Sequence, residues 1–194
     1  MLVARLILAS ASPRRAELLR EHGYDFTVMA SPLAEPVDFP DEASPVERAQ
    51  SSSYFKAKSV AGLAGDGWVL AADTIAALGD RVFGKPADRD DARMILKSLS
   101  GTTHQVITGV TLLDASSGVR LIRHDSTNVI MRRLADSEIE DYLDSGAWKG
   151  KAGAYGIQDK GDAFVERIEG SFTNVVGMPM ELLAEMLTAF TQLV

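Results

Sequence analysis

Residues 6–19, LILASASPRRAELL, decide the fold at the start of the chain, because a short apolar strand turns directly into a helix. Ser12 is a good N-cap residue, and Pro13 suits the first helical position, where its missing N–H would have had no intrahelical partner. The apolar residues that follow supply part of a core-facing stripe, and Gly23 is a natural stop. The stretch therefore predicts a strand that leads straight into a helix from Pro13 to near Gly23.

Two cations in the first helical turn give this junction a predicted ligand. Arg14 and Arg15 stand where the helix dipole is already positive, which disfavours each cation by roughly 0.3–1 kcal/mol. A bound anion would resolve the conflict, because the free N–H groups, the dipole and two guanidinium groups would all act on it, and Ser10 would add a hydroxyl. The junction thus predicts a phosphate site; the alternative is that both arginines extend into solvent.

The composition of the 194-residue chain is that of an ordinary globular protein, with 46% hydrophobic and 24% charged residues. We expect one domain over residues 1–194, because no linker-like composition or charge run divides the chain. The net charge of −7 argues against a nucleic-acid-binding surface, but local cations can still converge on a small anion. The absence of cysteine excludes disulfides and thiolate catalysis.

The apolar runs are too short to predict a membrane segment. A bilayer span needs roughly 18–20 apolar residues, and the longest runs here fall far short of that length. The apolar residues 6–9 are also too few for the core of a signal peptide. We therefore expect a cytoplasmic protein without a membrane or nucleic-acid partner.

The order of the predicted elements favours a mixed sheet. Strands are predicted at residues 25–29, 68–78, 105–113 and 163–168, with one long or two short strands within 119–133. Helices are predicted from a capping box at residues 44–47 to about 63, and over residues 88–99, 138–144 with Asp136 as the cap, and 180–193. Because strands and helices alternate without a regular βαβ rhythm, we expect an α/β fold with helices packed on a mixed sheet and a cleft between two lobes.

Two carboxylates stand in unusual settings. Asp73 lies within the nearly continuous apolar strand 68–78, where an unpaired buried carboxylate would be unfavourable by several kcal/mol. We therefore expect it to face a cleft, to pair with a cation or to bind a metal; the alternative is a cap at a strand end. Glu35 lies in a loop that two prolines keep from becoming helix.

These residue types suit the hydrolysis of a phosphoanhydride, which needs cations, a divalent metal held by carboxylate oxygens, and a base for water. The candidate cations are Arg14, Arg15, Lys56, Lys85 and Lys151. Mg²⁺ or Mn²⁺ suits the candidate oxygen ligands better than zinc, because the chain has no cysteine. The glycine-rich loop 148–161 lets backbone amides approach phosphate, whereas His104 is interpreted as structural.

Six segments in order resemble the Maf family of nucleoside triphosphate pyrophosphatases. They are residues 10–19, 72–74, 84–86, 99–106, 151–158 and 174–179. The resemblance implies an elongated twisted sheet with a central cleft, like that of inosine triphosphate pyrophosphatases, a homodimer, and cleavage between the α and β phosphates. The sequence AYGIQ at residues 154–158 is similar to the branch that acts on dTTP and UTP, not to the branch that prefers 7-methyl-GTP.

The resemblance also implies individual roles. Asp73 matches the proton acceptor for water, and Arg14, Thr74 and Gln158 match residues of base selection. A glutamine amide can pair both a donor and an acceptor with a pyrimidine edge. The phosphate and metal site is matched by Ser10, Arg15, Glu35, Lys56 and Lys85. We therefore expect Asp73, Glu35 and Gln158 to be catalytic, and Glu35 and Asp73 to hold Mg²⁺ or Mn²⁺.

Two departures from the family pattern leave alternatives open. Ala34 stands where the family is often acidic, so a metal site with fewer carboxylates is one alternative. Residues 55–58 read FKAK, so either Lys56 or Lys58 is the phosphate-binding lysine. A second hypothesis for function is a nucleotide-binding regulator of cell division without turnover. A nucleotidyltransferase would require an acceptor pocket, which the sequence does not identify.

Overall fold

The computed structural model of the chain describes residues 5–33, 39–40, 42–158 and 160–194. Within these residues a mixed sheet carries helices on both faces, which confirms the predicted α/β class. The strands are β1 (Leu6–Leu8), β2 (Phe26–Val28), β3 (Trp68–Leu78), β4 (Arg81–Phe83), β5 (Thr103–Asp114), β6 (Arg120–Met131) and β7 (Val165–Glu169). The helices are α1 (Pro13–Glu21), α2 (Pro45–Ala64), α3 (Arg89–Leu99), α4 (Asp136–Asp144), α5 (Phe172–Val176) and α6 (Met180–Phe190), with 3₁₀ turns at Ala152–Ala154 and Lys160–Phe164.

The strand order leaves one stretch of the central strand open on one edge. The sheet runs β2-β1-β3-β5-β6-β7, and β4 pairs with β3 alone. β5 occupies one edge of β3, so β1 and β4 share the other, where β1 pairs with Trp68–Leu70 and β4 with Ala76–Leu78. No described strand pairs with residues 71–75 on that edge. The sheet therefore has a gap beside the middle of β3.

The side chains of β3 point alternately to two cores. Leu70, Ala72 and Ala76 belong to the main core, which also contains residues of α1, α3, α4 and α6. Val69 and Ala71 pack on the other face against α2. Because successive side chains in a strand point to opposite faces, position 73 faces α2 and position 74 faces α1. A ligand in the gap can reach both.

Helix α2 lies unusually close to the sheet at the level of Asp73. Gly109 of β5 pairs with Asp73, and a Cβ on Gly109 would lie 2.4 Å from the carbonyl carbon of Ala49 in α2. A side chain there would separate the helix from the strands. Gly109 thus sets the depth at which α2 delivers its side chains beside β3.

Several predicted boundaries are confirmed and several are wrong. The predicted cap residues of α2 and α3, Ser44 and Asp88, both accept the expected backbone hydrogen bonds. Residues 120–131 form one long strand, and α6 ends at Phe190 instead of 193. Asp136 is the first helical residue of α4 and not its cap, because the Glu138 carboxylate accepts the N–H of Ala135 at 2.9 Å and satisfies the helix start one residue earlier.

The cap of α1 and the presence of α5 also differ from the predictions. Ser12 occupies the N-cap position of α1, but its side chain makes no capping hydrogen bond. Helix α5 was not predicted, because its 5 residues are too short to show a helical repeat. No helix in the described part of the chain combines the length and apolar character needed to cross a bilayer.

Candidate active site

A cavity of about 480 Å³ opens at the gap beside β3. Its walls come from the junction of β1 with α1, from the middle of β3, from α2, and from the segments 149–152, 155–158 and 175–177. The predicted site residues that line it are Ser10, Arg14, Arg15, Lys56, Asp73, Thr74, Lys85 and Gln158. Glu35 lies outside the described residues. The fold thus brings together eight of the nine predicted site residues on one cavity.

The part of the cavity lining that the structure describes has mostly basic charged side chains, although the chain carries a net charge of −7. Among its described lining residues Asp73 is the carboxylate, and the basic residues are Arg14, Arg15, Lys56, Lys85, Lys149 and Lys151. A pocket of this size, with one acidic and six basic side chains among its described residues, suits a small ligand with several negative charges, such as a triphosphate.

The guanidinium group of Arg15 is held in one orientation. Its Nε donates to the carbonyl oxygen of Gly177 at 2.8 Å, and its two terminal nitrogens donate to Ser10 Oγ at 3.2 Å and Thr74 Oγ1 at 3.0 Å. Arg15 is 9% exposed, so the alternative of a solvent-extended side chain is wrong for it. These contacts explain how a cation is tolerated in the first turn of α1: oxygen atoms from three other segments surround it.

Arg14 lies nearer the mouth of the cavity. It is half-buried, and its Nη2 donates to the carbonyl oxygen of Gly150 at 3.4 Å, at the long end of hydrogen bonding. This contact joins the start of α1 to the glycine-rich segment. Both arginines of the opening stretch therefore line the cavity, as the phosphate-site hypothesis requires.

Asp73 pairs with Lys56 inside the protein. Lys56 Nζ lies 2.5 Å from Asp73 Oδ1, and the two side chains are 8% and 11% exposed. The pair explains how a carboxylate is accommodated in an apolar strand, because a buried charge needs a close partner. Lys56 lies on the buried side of α2, whereas Lys58 is exposed and outside the cavity lining. The fold thus places Lys56, and not Lys58, at the candidate site.

The described residues show one carboxylate at the cavity where a divalent metal would bind. They contain no group of three or more His, Cys, Asp or Glu side chains arranged to hold an ion. Mg²⁺, however, is usually held by one or two carboxylates together with waters and substrate phosphates. Asp73, at the wall of a cavity suited to phosphates, fits that pattern, and Glu35 is the second carboxylate that the sequence analysis assigned to it.

The glycine-rich segment contributes two lysines to the cavity lining: Lys151, a candidate cation from the sequence without an assigned role, and Lys149, which was not predicted. Lys151 is 7% exposed, and its side chain lies over Gly156, where an added Cβ would come within 3.1 Å of Lys151 Cδ. Lys149 is exposed at the rim. The sequence pattern that indicates both residues is Lys-Gly-Lys at residues 149–151, because it places two cations in a loop whose backbone can approach phosphate.

Tyr155, in the wall of the cavity, contacts the buried side chain of His104. His104 Nε2 lies 2.7 Å from the Tyr155 hydroxyl, and His104 is 1% exposed. Burial lowers the pKa of His104 to about 4, and burial also raises the pKa of Tyr155. Both rings are therefore neutral near pH 7, and His104 stands behind the cavity wall, in agreement with its structural interpretation.

Comparisons with known proteins identify the family of this chain. The family model described as "Maf-like protein" matches residues 5–190. A dTTP/UTP pyrophosphatase of Pelotomaculum thermopropionicum is 42% identical over 185 residues, covering 95% of this chain and 96% of the relative. A dTTP/UTP pyrophosphatase of Alkaliphilus oremlandii is 45% identical over 177 residues, 91% of either chain. Since the family model spans nearly the whole chain and these relatives exceed two-fifths identity over nine-tenths of it, the chain belongs to the Maf-like protein family.

Proposed function

We propose that this protein hydrolyses dTTP and UTP between the α and β phosphates, releasing the nucleoside monophosphate and pyrophosphate. The observation that carries the proposal is that six basic side chains of the described residues line one cavity of about 480 Å³, and that one of them, Lys56, pairs there with Asp73. The names of the relatives described above, dTTP/UTP pyrophosphatases, supply the substrate class.

The cations bind the triphosphate and stabilise the charge that develops as the bond breaks. Arg14, Arg15 and Lys85 neutralise the pyrophosphate leaving group, whose bridging oxygen becomes negative in the transition state. Arg15 needs little reorganisation for this role, because its contacts to Gly177 and Ser10 already fix its guanidinium plane. A preorganised donor of this kind lowers the barrier more than a mobile one.

Asp73 orients the attacking water and accepts its proton. The water oxygen bonds to the α phosphorus, the bond from that phosphorus to the bridging oxygen breaks, and pyrophosphate leaves. Lys56 holds one oxygen of the Asp73 carboxylate at 2.5 Å and so fixes the direction in which the other points. Mg²⁺ or Mn²⁺, held by Asp73 and Glu35, supplies charge neutralisation at the phosphate oxygens when bound.

Gln158 selects the base. It is an exposed side chain of the cavity lining, and its amide offers both a donor and an acceptor to a pyrimidine edge. Arg14 and Thr74 complete the base-selecting group that the family resemblance implies. Turnover, and not binding alone, is favoured by the buried carboxylate at the cavity wall, since a pure binder of triphosphate has no need of it. A homodimer in the cytoplasm, which the resemblance and the composition imply, belongs to the same proposal.

Product analysis tests the bond that is cleaved. The purified protein is incubated with dTTP, UTP, dCTP and dATP in the presence of Mg²⁺ or Mn²⁺, and pyrophosphate and orthophosphate are measured separately. We expect pyrophosphate and monophosphate in equal amounts from dTTP and UTP. Release of orthophosphate alone would reject the mechanism.

A matched pair of variants tests the role of Asp73. Asp73→Asn should lower kcat by two or more orders of magnitude, the usual effect of removing a general base, while nucleotide binding persists. Asp80→Asn, in the exposed turn before β4, makes the same chemical change outside the cavity and should leave kcat unchanged. Near-normal turnover by a folded Asp73→Asn protein would remove Asp73 from the mechanism.

A further inference from the structure

A chain of hydrogen bonds leads from the cavity into the sheet. Arg15 Nη2 lies 3.0 Å from Thr74 Oγ1, Thr74 Oγ1 lies 2.9 Å from Thr108 Oγ1, and Thr108 Oγ1 lies 3.2 Å from the carbonyl oxygen of Asn174. Thr74 and Thr108 are direct partners in the pairing of β3 with β5. Thr74 lines the cavity, whereas Thr108 is fully buried behind it.

The two ends of this chain determine the direction of every bond in it. A guanidinium group can only donate and a carbonyl oxygen can only accept, and each threonine hydroxyl has one proton. Thr108 gives its proton to the carbonyl of Asn174 and therefore accepts the proton of Thr74. Thr74 Oγ1 in turn accepts a hydrogen bond from Arg15. Its second lone pair remains available to a ligand in the cavity, but its proton is already donated to Thr108.

The accepting carbonyl is itself fixed. The side-chain nitrogen of Asn174 donates to the carbonyl oxygen of Val106 and to Thr127 Oγ1, both at 2.9 Å. Its backbone N–H donates to Ser171 Oγ at 3.2 Å, and the residue is fully buried. These bonds attach α5 to β5 and β6, so the Asn174 carbonyl cannot turn away from Thr108 without breaking three contacts.

An oxygen that can only accept restricts what can lie against it. Phosphate oxygens of a triphosphate are acceptors and would repel it, so the nucleoside half of the substrate lies against Thr74. The donors shared by dTTP and UTP in that half are the imino N3–H of the base and the 3′-hydroxyl of the sugar. Cytosine differs from uracil here, because its N3 is an acceptor.

We infer that Thr108, oriented by Asn174, is a positioning residue that makes Thr74 an obligate hydrogen-bond acceptor, and that this polarity selects nucleotides presenting an N–H or O–H donor at that point. The inference rests on the proposed function for the identity of the ligand. Thr108 does not touch the nucleotide, and its effect passes through the direction of one proton.

The test measures binding and not turnover, so that it stays distinct from the test of the proposed function. Titration calorimetry with nonhydrolysable α,β-imido analogues of dUTP, dCTP and 3′-deoxy-dUTP gives Kd ratios for the normal protein and for Thr108→Val, which keeps the shape and removes the hydroxyl. In Thr108→Val the proton of Thr74 is released and can point into the cavity. The preference for the matching donor should then fall by about 10-fold, the size of one neutral hydrogen bond.

The Kd ratio that changes identifies whether the base or the sugar donates the hydrogen bond to Thr74. A fall in the dUTP to dCTP ratio alone assigns the contact to N3–H, and a fall in the dUTP to 3′-deoxy ratio alone assigns it to the sugar. Thr108→Ser retains a hydroxyl and should restore the normal ratio. Thr74→Val removes the accepting oxygen directly and should lower the same ratio. Thr108→Ala also removes the hydroxyl of residue 108, so the inference can be tested even if Thr108→Val does not fold.

Equal weakening of all three analogues by Thr108→Val, or ratios that Thr108→Val leaves unchanged, would overturn the inference. Pyrophosphate release is measured separately on the normal protein. A protein that binds the dUTP analogue selectively but releases no pyrophosphate would contradict the proposed function and leave the binding ratios as a valid test of Thr108.

Discussion

Replacing Lys56 with methionine should destabilise the protein strongly, because it leaves the carboxylate of Asp73 buried without its cation. The two groups lie 2.5 Å apart and their side chains are 8% and 11% exposed, so most of the carboxylate surface stays out of contact with solvent when the cation is removed. Breaking a buried ion pair from one side is unfavourable by about 3–5 kcal/mol, against about 0–1 kcal/mol for an exposed pair. For a chain of this size, that corresponds to a fall in Tm of about 6–20 °C.

The assay is urea unfolding at pH 7, analysed as a double-mutant cycle with Lys56→Met, Asp73→Asn and the double variant. The double variant should be more stable than Lys56→Met alone, because it holds no unpaired buried charge. Lys58→Met, two residues further along the same helix and exposed, is the matched control and should change the free energy of unfolding by less than about 0.5 kcal/mol. If Lys56→Met were as stable as Lys58→Met, the argument that the pair is buried and coupled would be refuted.

Three further outcomes are expected. Arg15→Lys keeps the charge but cannot reproduce the three-way contact of the guanidinium group, so kcat/KM should fall about 100-fold in steady-state assays; full activity would contradict a preorganised role. Gly109→Ala should lower the free energy of unfolding by about 1–3 kcal/mol, because its Cβ would lie 2.4 Å from the backbone of Ala49. The control Gly62→Ala, which has open space around it in α2, should raise the free energy of unfolding by up to about 1 kcal/mol. The pKa of His104 falls from 6.5 to about 4 on folding, so the unfolded chain takes up this proton at a higher pH than the folded protein does. The stability that neutral His104 contributes is therefore complete above about pH 6.5, and about 3 kcal/mol of it is lost as the pH falls towards 4. His104→Gln should flatten this dependence of the free energy of unfolding on pH, measured by urea unfolding across pH 4–7.

Local chemistry carried much of the prediction. The proline at residue 13 marked the start of α1, and the capping box at residues 44–47 marked the start of α2. Asp73 stood out because a charge in an apolar strand requires a partner, and the structure supplies that partner from α2. Two elements were predicted wrongly or not at all. Helix α5 has too few residues to show a helical repeat, and the start of α4 depends on the Glu138 carboxylate, which lies inside the helix.

The sequence by itself determined which residue types are present for phosphate chemistry and which elements carry them, because caps, apolar periodicity and isolated charges act over a few neighbouring residues. Tertiary structure alone decided where they meet. The gap beside β3 exists because β1 and β4 pair with its two ends, and the choice of Lys56 over Lys58 depends on the face that α2 turns to the sheet. Arg15 and Gly177 are 162 residues apart, and Thr74 lies 2.9 Å from Thr108 of the neighbouring strand. Such contacts join distant segments through pairing and packing, which no local pattern of residues encodes.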